Sequence, residues 1–256
     1  MADDSKNLVD VGMGNLPFPI KVPSREKSEG QQTIANISVR TRIQADLEAH
    51  WQNRFIQVLH SHRSRIDTAT LSENVESYLK ALNADTVRLE FEYPFFAEKT
   101  TPVSEEKCLV RYHCNYSAKL TTVWDKPKIT FKIHVPVITT DPASDPEKEG
   151  GLFGQMSVLT IEIESRQETY PEDLVDLADK HSLSPVYSFL TPDDQIKIIQ
   201  TAHIQKKSSV EVSEAIKTEL AHNRFIEWFS VSCANFGMLH SYNTAIGSER
   251  DIRLPF

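Results

Sequence analysis

No apolar run in this 256-residue chain approaches the ~18–20 residues that cross a bilayer as a helix. Its first residues, MADDSKNLVD, are acidic and polar where a secretory leader needs a positive region and then an apolar one. Cysteine is scarce: Cys108, Cys114 and Cys233 form an odd set with no metal-type C-x-x-C spacing. They read as packing residues in a reducing cytoplasm, Cys108 and Cys114 sharing a strand face by the two-residue period. Clustered positive charge is missing as well. The formal net charge is −8 and the densest basic runs, Arg63/Arg65 and Lys206-Lys207, are short, which excludes general affinity for nucleic acid. There is no P-loop, G-x-G-x-x-G, G-x-S-x-G or H-E-x-x-H, so nucleotide binding of the P-loop or Rossmann type is not expected.

What remains is an ordinary globular composition, 39% hydrophobic and 25% charged, in a chain long enough to bury a core as one domain or two small fused repeats. Pro17, Pro19, Pro23 and the polar run 24–32 predict an N-terminal arm without regular structure over residues 1–32. Apolar and polar residues alternate over 34–43, 86–91, 108–120, 128–138 and 158–164, predicting strands. Trp51, Phe55, Val58 and Leu59 fall at helical spacing within 48–63, and Val75, Leu79 and Leu82 within 72–82, with Ser72 as its cap. Helices are expected over 171–181, with proline in the first turn, over 193–203 and over 210–222. Strands over 225–234 and 238–245 close the chain. The order is α+β in two similar halves, 33–136 and 137–256.

The most informative stretch is 131–155, FKIHVPVITTDPASDPEKEGGLFGQ. A β-branched strand runs into Asp141-Pro142-Ala143-Ser144, then a charged loop and Gly150-Gly151. This resembles the active-site segment of the type IB GTP cyclohydrolases, where the strand ends V-P-V-T-S-L-C-P-C-S and G-A-H-N-Q follows. Further stretches match in order. Val11–Leu16 with Pro19-Ile20 resembles V-G-V-K-D-L-R-Y-P-I, Asn53–Leu59 resembles S-R-F-V-E-V-L, and Tyr93–Lys99 with Pro102–Ser104 resembles F-P-Y-F-I-x-K-x-A-P-V-S. Ser184–Tyr187 with Pro192–Asp194 resembles a stretch ending K-R-P-D-E, and Asn235-Phe236 with His240 resembles N-F-E-S-I-H.

The resemblance implies tandem tunnelling-fold modules of antiparallel sheet with helices on one face, closing into barrels as a homotetramer or dimer. It implies a purine- or pterin-like substrate at subunit interfaces, held by a buried carboxylate. Family members open GTP at C8, release formate and recyclise, using a metal held by Cys, His and Glu. That metal makes hydroxide available at neutral pH. Here Asp141 and Ala143 stand at the two cysteine positions, Phe153 at the histidine, Asp194 at the ligand glutamate and Gly237 at a further glutamate. No cofactor is therefore expected. A hard-ion oxygen site from Asp141 and Asp194 is the disfavoured alternative.

Asp141 is either a turn-starting Asp-Pro or a carboxylate at the site's mouth; His240 is either a hydrogen-bonded strand histidine or an acid/base. Asp141, His240 and Asp194 are taken as the acid/base set. Glu211, with Glu214 as the fallback register, is taken as the ligand-anchoring carboxylate; the plainer reading is complementarity to the helix dipole. Arg54 and Lys99 lie inside matched stretches and position a ligand or cap the packing. His203, Lys206 and Lys207, between two helices, either meet phosphate or form a solvated loop, and the solvated loop is the favoured reading. Three functions stay open: a diverged biosynthetic enzyme with acid/base chemistry, a catalytically silent binding or scaffold protein, and a GTP cyclohydrolase with a rearranged metal site.

Overall fold

The structure is a computed structural model and describes residues 8–44, 50–237 and 241–251. It divides into two compact units, each drawn from several segments. Unit one takes residues 1–94, 114–131 and 164–170; unit two takes 95–113, 132–163 and 171–256.

Unit one opens with two antiparallel strands, β1 (Leu8–Val22) and β2 (Gln31–Gln44). The stretch read from sequence as a loose arm is thus largely strand. Its prolines are tolerated because β1 stands at one end of the strand order, where an amide can be lost without breaking a ladder on both sides. A register shift between Met13 and Leu16 absorbs the irregularity, with Asn15 at φ 58. Then come α1 (Trp51–His62), α2 (Thr68–Leu82) and β3 (Ala84–Thr100), the last pairing antiparallel with β2. Helix α2 begins before Ser72: Asp67 is its cap, accepting from the Thr70 amide at 2.7 Å, while Thr70 Oγ1 accepts the Asp67 amide in return. Alternation along β2 and β3 turns Ile37, Val39 and Ile43, and Val87, Leu89 and Phe91, to the buried face, and Phe55, Leu59, Val75 and Tyr78 are buried on the helices. Cutting Phe55 or Leu89, each 0% exposed, back to alanine would cost about 2–5 kcal/mol.

Strands β4 (Lys107–Thr121), β5 (Lys128–Thr140) and β6 (Gly154–Ser165) follow. In unit two come α3 (Pro171–His181), the two-residue β7 (Ser184–Pro185), α4 (Pro192–Ile204), α5 (Ser209–His222), β8 (Ile226–Phe236) and β9 (Thr244–Asp251). The hydrogen-bonded strand order is β1-β2-β3-β4-β5-β6-β8-β9, with β7 against β5. Helix α5 lies along β8, burying Val212, Ile216 and Leu220. The last strand is β9, not the expected 238–245; residues 238–240 are outside the described residues.

Element order repeats: two strands, helices and two strands occur twice, from β1 to β4 and from β5 to β9, with the two-residue β7 interposed among the helices of the second set. A boundary at 136/137 falls inside β5, because the strand starts at Lys128, right after the turn at 122–127. All three cysteines are buried thiols outside any disulfide; burial pushes the Cys233 thiol up to about 11.

Candidate functional site

The chain leaves β5 through Thr139, Thr140 and Asp141, all but enclosed. The Asp141 amide donates to Phe153 O at 3.0 Å, and its Oδ1 accepts from the Ala143 amide at 2.8 Å. This is the Asx turn that Asp before Pro favours. Ser144 closes the turn, donating its amide at 3.0 Å and its hydroxyl at 2.7 Å to Asp141 O. Oδ2 is left over. It lies 3.7 Å from where a Cβ on Gly237 would sit, and Gln155 Oε1 lies 3.8 Å from the same point. Two acceptors, one just past the end of β5 and one on β6, therefore face the same point beside Gly237, the residue after β8. Neither accepts a hydrogen bond among the described residues.

Behind this pair is a buried chain of neutral hydrogen bonds. Thr139 Oγ1 and Ser157 Oγ are 2.7 Å apart, Ser157 donates to Asn235 Oδ1 at 2.9 Å, and Asn235 Nδ2 donates to Ser209 Oγ at 3.0 Å. The chain ties β5, β6 and β8 to the first turn of α5. Thr140 exchanges two further bonds with the loop before α5: its amide donates to Lys207 O at 2.8 Å and its hydroxyl accepts the Lys207 amide at 2.7 Å. Buried polar groups persist when every partner is supplied, and this network holds the end of β5 in one position. Gln155, Ser157, Asn235 and Thr140 carry no charge and no metal-type spacing, so the sequence assigned them no role at the site. The signal available was Gln155 itself, which keeps the final letter of the G-A-H-N-Q stretch.

The expected site residues go to different places. His240 is outside the described residues. Asp194 is fully buried in the first turn of α4. Its Oδ1 accepts the amides of Val103 and Ser104 at 2.8 and 2.9 Å. Its Oδ2 accepts the Ser104 hydroxyl at 2.7 Å and the Thr191 amide and hydroxyl at 2.9 and 2.6 Å. Burial alone would raise its pKa, but the Thr191 and Ser104 donors outweigh it and hold the carboxyl far below the usual range. Asp194 is thus an anchor for residues 101–104, with both oxygens committed, and not an acid/base.

Lys99 is also internal. Its ammonium, on a side chain 8% exposed, lies 2.6 Å from Asp179 Oδ2, with the Tyr112 and Tyr187 rings 5.5 and 5.9 Å away. It is spent on packing within unit two. Glu211 is exposed and closes a capping box, accepting the Ser208 amide and hydroxyl at 2.8 Å each, and these bonds lower its pKa. The plainer reading therefore accounts for its geometry. Arg54 stands on the exposed face of α1 in unit one. Lys207 turns its ammonium to Ser182 O at 3.0 Å, and His203 Nδ1 meets Leu152 O at 2.6 Å.

The donor set does not fit the metal implied by the resemblance. Position 141 offers one uncommitted oxygen, Ala143 and Phe153 offer none, and Asp194 is saturated. Among the described residues, no three His, Cys, Asp or Glu side chains gather closely enough to hold an ion. Zinc prefers nitrogen and sulfur ligands, and the described residues gather no such set at this end of β5.

The family model described as type I GTP cyclohydrolase folE2 matches residues 2–245. "GTP cyclohydrolase FolE2" of Geobacter sp. (strain M21) is 30% identical over 249 residues, covering 96% of this chain and 92% of the relative. The protein of the same name from Geotalea uraniireducens (strain Rf4) is 30% identical over 253 residues, covering 98% and 92%. Among solved structures, a uricase from Bacillus fastidious superposes with TM-score 0.55 at 13% identity, covering 96% of this chain and 93% of that one. Uricase from Arthrobacter globiformis gives TM-score 0.51 at 10% identity, covering 96% and 94%. The architecture is the tunnelling fold, mixed α+β with an antiparallel sheet and five helices among the described residues.

Proposed function

Because the chain belongs to the type I GTP cyclohydrolase folE2 family, we propose that it binds a purine- or pterin-like heterocycle at the Asp141–Gln155 end of β5 and β6 and moves protons on that ring in a biosynthetic step. The observation that carries this reading is the convergence of Asp141 Oδ2 and Gln155 Oε1, two uncommitted acceptors on rigid strand ends. A carboxylate oxygen and an amide oxygen that face one point can accept from N–H donors on a heterocycle edge. His240, three residues beyond Gly237 in sequence, is the proposed second proton-transfer group. Acid/base groups supply roughly 10²–10⁴ in rate, enough for an already activated ring and short of what unaided attack at purine C8 requires. A second reading, a heterocycle-binding protein without a reaction, is favoured by Ala143 and Phe153, whose side chains bring no ligand or proton donor to the site.

Mass spectrometry of the purified protein, with a GTP-turnover assay in the presence and absence of Mn²⁺ or Zn²⁺, tests the proposal. The expected result is a co-purifying or added heterocycle whose affinity falls at least about tenfold in Asp141→Asn, with little or no dihydroneopterin triphosphate formed from GTP. Zinc content should be well below one per chain. Robust GTP turnover dependent on a stoichiometric metal would overturn the altered chemistry. Heterocycle binding indifferent to both Asp141→Asn and Gln155→Ala would overturn the site.

A further inference from the structure

The two acceptors of the heterocycle site flank one loop. Asp141 follows the last residue of β5, and Gln155 is the second residue of β6, so residues 141–153 run between them. The loop does not set their spacing by its own stiffness. Its turns bond within themselves, the Lys148 amide to Asp145 O and the Gly151 amide to Lys148 O. Gly150 and Gly151 hold φ of 98° and 61°, and a Cβ on either would meet nothing within 4 Å. A glycine pair in open space gives the returning chain no steric guide, so its place is imposed by other elements.

The end of α4 and the connection to α5 bracket that loop. At its start, Lys207 exchanges two bonds with Thr140, the residue before Asp141. At its return, His203, in the last turn of α4, places Nδ1 2.6 Å from Leu152 O. A carbonyl oxygen only accepts, so Nδ1 carries the proton, and neutral ring and imidazolium make the bond alike. The next carbonyl, Phe153 O, accepts the Asp141 amide at 3.0 Å. Successive carbonyls are thus held from two directions, Leu152 by α4 and Phe153 by Asp141. Ala202 Cβ lies 3.6 Å from where a Cβ on Gly154 would sit, and Thr139 O lies 3.6 Å from the same point, so the last turn of α4 also packs at this strand end. The plainer role for a basic residue in a last helical turn is to complement the helix dipole. Here the donor crosses to Leu152, while the Gln205 amide serves Thr201 O. His203 is exposed, so its ring adds little to the core.

We propose that His203 is a positioning residue for the heterocycle site. Its Nδ1–H fixes Leu152, and through Leu152 and Phe153 it holds Gln155 and the Asp141 amide at the spacing that lets Asp141 Oδ2 and Gln155 Oε1 face one point. It acts through these groups and not by touching the ligand. This role rests on the heterocycle site at Asp141 and adds to it a residue from another element.

The test compares the full-length parent with His203→Leu, which removes the donor, and His203→Asn, whose side-chain N–H stands in for Nδ1–H. Hydrogen exchange is read at the Asp141 amide, and affinity is read by calorimetry with guanosine and with pterin as probes. In His203→Leu, exchange at Asp141 should quicken about three- to tenfold, and the affinity of the probe that binds should fall by a similar factor. His203→Asn should restore both to within about twofold of the parent. Tm should move by less than about 4 °C in either variant. A parent that binds neither probe would count against the heterocycle site itself, and exchange at Asp141 would then decide whether His203 positions that residue. Exchange at Asp141 indifferent to His203→Leu would overturn the proposal. So would an affinity unchanged in His203→Leu yet weakened in Asp141→Asn. A loss of affinity that comes only with a larger fall in Tm would assign His203 to stability and overturn it as well.

Discussion

Asp194 in unit two and Glu168 in unit one are both carboxylates withdrawn from solvent, and their pKa values move in opposite directions. Asp194 is the more deeply buried, yet its pKa is far below the ordinary 3.8. Glu168 is only partly buried, yet burial first, and then the neighbouring Asp67, push it from 4.5 up to about 7. The difference is donors. Asp194 receives hydrogen bonds from Val103, Ser104 and Thr191 on both oxygens, whereas Glu168 receives the Tyr116 hydroxyl at 3.1 Å on Oε1 and its enclosed Oε2 makes no hydrogen bond of good geometry. Burial alone does not set the charge of an interior carboxylate; the hydrogen bonds supplied to its ionised form decide. The same rule separates an anchor from a titrating group.

The sharpest way to break the comparison is Asp194→Asn. The amide keeps the shape but turns one oxygen into a donor facing donors, stranding several of the groups that Asp194 satisfies. Tm should fall by more than about 8 °C, a larger change than either Glu168→Gln or Glu211→Gln should bring. A melt within about 2 °C of the parent would show that the five contacts contribute little to stability.

The second prediction turns on sign. Glu168 is protonated more readily in the folded chain than in the unfolded one, so its contribution to stability is fully present below pH 4.5 and is lost as the pH rises through about 7. Asp194, with a depressed pKa, contributes stability above pH 3.8 that is lost as the pH falls through its folded value. Glu168→Gln should flatten the decline in stability between pH 4.5 and 7 and raise Tm at pH 8 by about 2–6 °C, leaving the acid limb intact. Thermal melts across that range check it. An unchanged slope between pH 4.5 and 7 would mean that the folded chain does not raise the Glu168 pKa.

These two carboxylates also mark where the sequence was legible. Periodicity and an N1 proline located α3 at 171–181 to the residue, because local rules act there without competition. The prolines of β1 and the Asp67–Thr70 cap misled the reading because the deciding facts, a terminal place in the sheet and a reciprocal hydrogen bond, are properties of the folded chain. At the site, the Asp-Pro after β5 was readable from its motif. Gln155 and Asn235 were readable as letters of matched stretches but not as roles, since neutral side chains gain a role only from what they face. Asp194 was readable as a position and misread as a role. The partners that commit it, Val103 and Ser104, lie about ninety residues earlier. Glu168 left no mark at all, because its neighbour Asp67 is still more distant along the chain.

The smallest predicted effect concerns Glu211, which lies between these two extremes. Like Asp194 it sits in the first turn of a helix and accepts from its cap residue, and like any exposed group it can exchange those bonds for water. Glutamine serves the third position of a capping box nearly as well as glutamate. Glu211→Gln should therefore change Tm by less than about 2 °C, because the cap geometry survives and only a screened favourable interaction with the helix dipole is removed. The same substitution separates the two roles that the sequence left open. A carboxylate anchoring a heterocycle loses its charge in Glu211→Gln, and affinity would then drop at least about tenfold with no change in the melt. A capping glutamate leaves affinity where it was. The geometry favours the second outcome, since Oε2 is already engaged by Ser208; a loss of ligand affinity at constant Tm would return Glu211 to the site.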